Sequence, residues 1–165
     1  QIAIEAALTG HLVFSTLHTN DAPSAITRMI DLGAESFLIC ASVEAIVAQR
    51  LVRKVCNGCK TEMVPTEEML MELSLAPEDV AGKKFCFGKG CDACNKTGYK
   101  GRMALMEIML VTERIKEMIL AMASTEYIRE AAREQGMRTL REAGLLAIFD
   151  GHTSIEEVVR ETLFG

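Results

Sequence analysis

The chain has 165 residues, 49% hydrophobic and 25% charged, with a formal net charge of −5. This is enough apolar material for a globular core, and an acidic chain without a basic stripe argues against nucleic acid as the main partner. The longest apolar stretch, FLICASVEAIVAQ, is broken by Ser42 and Glu44, so nothing in it reads as a membrane span, and no secretory signal is visible.

The chain opens on QIAIEAALTG, which reads as a helix met in mid-course, so a C-terminal part of a longer protein is expected. Gln1 to Leu8 is expected to be helical, ending at Gly10. Leu12 to Leu17 is rich in apolar and β-branched residues and reads as a buried strand. In NDAP, Asn20 or Asp21 can cap the next helix and Pro23 suits its first turn, with the end before Gly33. ESFLICASVEAIVAQRL follows a three-to-four period through Phe37, Ile39, Cys40, Val43, Ile46, Val47 and Arg50, and predicts a second helix. That order favours an α/β class.

The character changes at Val55. Residues 56–101 hold five of the six cysteines, six of the twelve glycines and two of the three prolines, with a short helix expected over Glu67 to Leu73. GRMALMEIML then reads as a strand. The remainder is expected to be helical, in TERIKEMILAMA, TEYIREAAREQG, LREAGLLAIFDG and SIEEVVRETLF, the last with Ser154 and Glu157 in capping-box spacing. The implied divisions are 1–54, 55–101 and 102–165.

CNGC and CDAC place Cys56 with Cys59 and Cys91 with Cys94, each pair two residues apart. A C-x2-C turn points two thiolates at one centre, and two such turns complete a tetrahedron around Zn2+ with Zn–S near ~2.3 Å. Two local redox pairs, reduced unliganded thiols and an iron–sulfur cluster are the alternatives. With four protein ligands no position is left for water, so such a metal would be structural. Cys86 could substitute as a ligand or be spare, and Cys40 falls on the apolar face of a helix as a small hydrophobe.

His11 and His18 flank the apolar run. If it is extended at ~3.3 Å per residue they lie roughly 23 Å apart and cannot share one metal ion. In open α/β sheets ligands sit beyond the carboxyl ends of strands, which places His18, Thr19 and Asn20 just before a helix N-terminus that favours anions, with Thr16 near the same edge and His11 at the other end. A cap for His18 and a satisfied edge residue for His11 are the alternatives. A Ser15–His18–Asp21 hydrolase arrangement is disfavoured by strand parity and by the lack of a nucleophile elbow.

Three segments in order, AALTGHLVFSTLHTNDAPSAITRMIDLG, AQRLVRKVCNGC and GCDACNKTGYKGR, resemble the secretion ATPases, the hexameric motors of type II secretion and type IV pilus assembly. The long cysteine spacer and the tail QGMRTLREAGLLAIFDGHTSIEEVV are more similar to the pilus-assembly branch. The resemblance implies the C-terminal part of a RecA-like ATPase core with an inserted tetracysteine zinc module and a helical C-terminal subdomain. It implies that His18 contacts the γ-phosphate with Thr16 and Thr19 beside it. His11 would support the acidic catalytic elements, and Arg28 would lie near a subunit boundary, able to neutralise phosphate charge. Cys56, Cys59, Cys91 and Cys94 would hold structural Zn2+. ATP and Mg2+ would belong to the longer protein, a cytoplasmic homo-hexamer working on an inner-membrane platform protein. No G-x-x-x-x-G-K-[ST] motif occurs in the chain, so by itself it is not expected to hydrolyse ATP. A non-catalytic zinc-binding interaction module is the rival reading.

Overall fold

In the computed structural model the described residues run from 2 to 162. The expected helix positions at Gln1, Leu163 and Phe164 lie outside them. The elements are α1 (Ile2–Leu8), α2 (Ala22–Asp31), α3 (Ser36–Ser42), β1 (Ala45–Val55), β2 (Lys60–Met63), α4 (Glu67–Glu72), β3 (Phe85–Gly88), β4 (Tyr99–Leu110), α5 (Glu113–Leu120), α6 (Thr125–Glu134), α7 (Leu140–Phe149) and α8 (Ile155–Thr162), with a 3-10 turn at Asp92–Cys94. β1 pairs with β4 in one two-stranded sheet, and β2 with β3 in another. β2 and β3 are antiparallel, with Lys60 opposite Gly88 and Met63 opposite Phe85. No described helix is long and apolar enough to cross a membrane.

The chain forms two compact units, one of residues 1–48 with 106–139 and one of residues 49–105 with 140–165. The first is built on Ile26, Ile39, Met109, Ile115, Ile119 and Ile128, each at most 2% exposed, with Ala131 and Ala132 beside them. These residues recur at helical spacing on α2, α5 and α6, so each helix turns one apolar stripe inward. The second unit centres on Leu70, Leu73, Phe85, Ile148, Ile155 and Val158. Phe85 and Phe149 meet edge to face with ring centroids 5.7 Å apart. Gly144 on α7 lies against Val158 and Leu105, where no side chain would fit.

Local chemistry sets most boundaries. Asp21 caps α2, its carboxylate accepting the Ser24 N–H at 2.7 Å, and Pro23 sits in the first turn. Thr66 and Thr112 cap α4 and α5 through the N–H groups of Met69 and Ile115. At α8, Ser154 Oγ accepts the Glu157 N–H at 3.4 Å, while the Glu157 carboxylate receives the main-chain N–H of Arg53.

Two expectations are corrected. The helix read through Arg50 ends at Ser42, whose hydroxyl donates to Leu38 O, and Val43 is already extended. Residues 45–55 are strand, with half-buried Ile46, Ala48 and Arg50 alternating with exposed neighbours. Ile46, Val47, Val52 and Val55 are β-branched and stiff at χ1, and β4 supplies the ladder that a period of two needs. Leu12–Leu17 is not a strand. It has no regular structure, and Leu12, Phe14 and Leu17 are 84%, 89% and 39% exposed. A strand exists through its neighbours' hydrogen bonds, and neither sheet of the described residues takes in this segment.

Candidate metal centre

The four cysteines meet in the second unit through two knuckles. In the first, the Cys59 N–H bonds Cys56 O at 3.1 Å, turning Cys56-Asn57-Gly58-Cys59 back on itself. In the second, the N–H groups of Cys94 and Lys96 both bond Cys91 O, at 3.2 and 2.9 Å. The chain then passes through left-handed Asn95 and Lys96 (φ 51° and 62°). A bond from Cys56 N to Gly98 O at 2.9 Å, and one from Lys89 N to Cys59 O at 3.1 Å, tie the knuckles together. Gly98 is a position where geometry leaves no other residue. Its φ is +78°, and a side chain there would run into the Gly88 carbonyl, as one at Gly88 would into that of Gly98.

The result is four sulfurs within 4.8 Å of one another, from Cys56, Cys59, Cys91 and Cys94. The separations are 3.9 Å for Cys56–Cys91, 3.8 Å for Cys59–Cys94 and 3.7 Å for Cys91–Cys94. A metal held by four thiolates at about 2.3 Å has tetrahedral S–S edges of about 3.8 Å. A disulfide would need about 2.05 Å. The donor set therefore fits one tetrahedral cation, and the cluster could hold a metal ion.

Main-chain dipoles face the sulfurs. Cys94 Sγ accepts N–H groups from Cys91 at 3.2 Å and Gly98 at 3.3 Å, and Cys59 Sγ accepts from Gly90 at 3.3 Å. The bond from Cys91, with that from Gly98 behind it, brings the Cys94 thiol down to about 6 against the cost of burial. Burial, then the surrounding thiols of Cys94, Cys91 and Cys56, push Cys59 up to about 11 despite the Gly90 N–H. Four neighbouring thiols cannot all shed their protons without a compensating positive charge, which a dication supplies.

The remaining cysteines stand outside this cluster. Cys86 is buried on β3, paired in register with Glu62. Cys40 is half-buried on α3, its thiol directed at Lys116 O at 3.5 Å, and burial raises its pKa.

His18 and Thr16 are exposed and Thr19 is half-buried, all on the irregular segment before α2, while Arg28 is exposed on α2. His11 Nδ1 lies 2.9 Å from Thr9 Oγ1, whose own proton goes to Ala6 O at 2.8 Å, so the imidazole nitrogen is the donor. The structure thus gathers the four cysteines, and leaves the histidine segment at the surface.

A polar network beside the cluster was not read from the sequence. The Arg53 guanidinium lies 4.2 Å from the centre of the Tyr99 ring and donates to Glu157 Oε1 at 2.6 Å. Tyr99 Oη meets Ser154 Oγ at 2.7 Å, and Thr153 Oγ1 donates to Arg53 O at 2.9 Å. Burial opposes the charge on Glu157, but the bonds and charge of Arg53, with Arg160, outweigh it and hold the carboxyl below its ordinary value.

Fold and cluster together define a mixed α/β protein with four clustered thiols that could hold a metal ion. Residues 1–160 match the family described as Type II/IV secretion system protein, and the chain belongs to that family. Among curated relatives, the type IV pilus assembly ATPase PilB of Thermus thermophilus is 48% identical over 99% of this chain and 18% of its own length. PilB of Pseudomonas aeruginosa is 45% identical over 98% of this chain and 28% of its own. The type II secretion system protein E of Aeromonas hydrophila is 43% identical over 98% of this chain and 32% of its own. The chain thus spans between 18% and 32% of the length of these relatives.

Proposed function

We propose that this chain is part of an ATP-driven motor for type IV pilus assembly or type II protein secretion, with the pilus branch favoured. The observation that carries the reading is its similarity over nearly its whole length to relatives named as pilus assembly ATPases and type II secretion E proteins. In this reading residues 1–54 complete a RecA-like core, residues 55–101 form a zinc module, and residues 102–165 add a strand and helices that divide between the two compact units. Six copies of the longer protein form a cytoplasmic ring that works against an inner-membrane platform protein.

The four thiolates hold one Zn2+, which supplies a fixed tetrahedral node and no open position for chemistry. Structural zinc contributes about 10–16 kcal/mol in small modules, enough to fold loops with little apolar core of their own. His18 contacts the γ-phosphate, with Thr16 and Thr19 beside it. His11 supports the acidic elements, and Arg28 faces phosphate charge at a subunit boundary. The phosphate cradle and the Mg2+ ligands come from the rest of the longer protein, so this chain alone does not turn over ATP.

The test is ATP turnover by the longer protein. His18→Ala should lower turnover and leave nucleotide binding largely intact. A longer protein with no ATP turnover under any condition would leave the non-catalytic zinc module as the reading.

A further inference from the structure

Residues 11–19 have no regular structure, and all but Val13 and Thr19 are exposed. A segment with no ladder of its own takes its position from its ends. One end is tied to α1 through Thr9 and His11. The other is held by two buried carboxylates. Asp21, 4% exposed, accepts the Ser24 N–H and also a bond from Arg129 Nη2 at 2.8 Å. Glu107, 3% exposed, accepts the N–H of Ala22 at 2.7 Å. Arg129 lies on α6 and Glu107 on β4, 108 and 85 positions from their partners. A second pair, to Glu126, braces the Arg129 guanidinium.

One aspartate suffices to cap a helix. Here a second acid and a cation, from two distant elements, grip the same turn. Burying Asp21 and Glu107 costs solvation that only such partners repay. What they hold in place is the start of α2, and His18 is three residues before Asp21.

We propose that Arg129 and Glu107 are positioning residues for His18, setting from α6 and β4 where the histidine segment meets nucleotide. The inference rests on the role given to His18 above. Burial opposes the charge on Asp21, but the bonds from Ser24 and the bond and charge of Arg129 prevail, so Asp21 is ionised at neutral pH. A catalytic group displaced by about 1 Å can lose about a hundredfold in rate, so a grip on the helix start acts on turnover more than on binding.

The experiment uses the longer protein that contains this chain. Arg129→Gln should lower kcat for ATP hydrolysis by about tenfold or more, and KM should stay within about threefold. Amide exchange at Thr16–Asn20 should quicken. Arg129→Lys, which keeps the charge, should restore part of the rate. Arg114→Gln, which breaks the exposed pair with Glu134, should leave kcat unchanged. If His18→Ala lowers kcat while Arg129→Gln has wild-type turnover and exchange, the positioning role is wrong. If His18→Ala itself has wild-type turnover, the reading beneath it fails. Should Arg129→Gln not fold, Arg129→Lys decides: a lowered kcat with KM within about threefold and faster exchange at Thr16–Asn20 supports the clamp, and a wild-type kcat, whatever the melting temperature, overturns it.

Discussion

Glu157 is the buried acid whose removal most directly probes the second unit. It is 1% exposed, and its carboxylate takes the Arg53 N–H at 2.9 Å, the Arg53 guanidinium at 2.6 Å and that of Arg160 at 2.7 Å. In Glu157→Ala the main-chain N–H loses its acceptor, at a cost of about 1–3 kcal/mol. The side chains of Arg53 and Arg160 are 43% and 54% exposed and can turn to water, so each lost ion pair is discounted to about 0.2–1 kcal/mol. With about 0.8 kcal/mol for the lost methylene, the variant should be destabilised by about 3 kcal/mol. At about 2–4 °C per kcal/mol for a chain of this size, calorimetry should show a melting temperature lowered by about 6–12 °C. Glu157→Gln keeps an acceptor for Arg53 N–H and should lose less than half as much. A Glu157→Ala melting temperature within about 2 °C of wild type, or a glutamine variant less stable than the alanine one, would refute this account.

Three further outcomes are expected. Asp21 titrates below its ordinary 3.8, so its contribution is complete above that value and is lost as the pH falls through the lower folded value. Asp21→Asn should therefore differ from wild type in urea unfolding at pH 7 and converge with it in the acid range, and a gap independent of pH would contradict the paired carboxylate. Gly144→Ala gains up to about 1 kcal/mol of helix propensity but drives a methyl into the buried Cγ1 of Val158, so a net loss of about 1–2 kcal/mol should appear on thermal unfolding. Gly98→Ala should lower metal content and melting temperature together, whereas Gly82→Ala, also left-handed at φ +75° but with nothing within 4 Å of the new methyl, should keep its metal.

The clustering of the four cysteines is legible because each C-x2-C knuckle is local, and two local turns need only to meet. Helices α4 to α8 were legible through their apolar stripes and caps. The segment 43–50 is read as helix because Val43, Ile46, Val47 and Arg50 follow a helical period, whereas the strand turns Ile46, Ala48 and Arg50 inward, and only pairing with β4 decides between the two patterns. Leu12–Leu17 has strand composition, yet composition supplies no partner. The pairs Arg53–Glu157 and Asp21–Arg129 join residues 104 and 108 positions apart, and a single chain carries no pattern that announces such a contact.

The Zn2+ proposed to sit between Cys56, Cys59, Cys91 and Cys94 is open to direct test. Zinc K-edge absorption on protein purified without added metal should give one zinc per chain with four sulfur neighbours at about 2.3 Å. Protein that folds fully with no bound metal, or a zinc shell containing nitrogen or oxygen ligands, would contradict it.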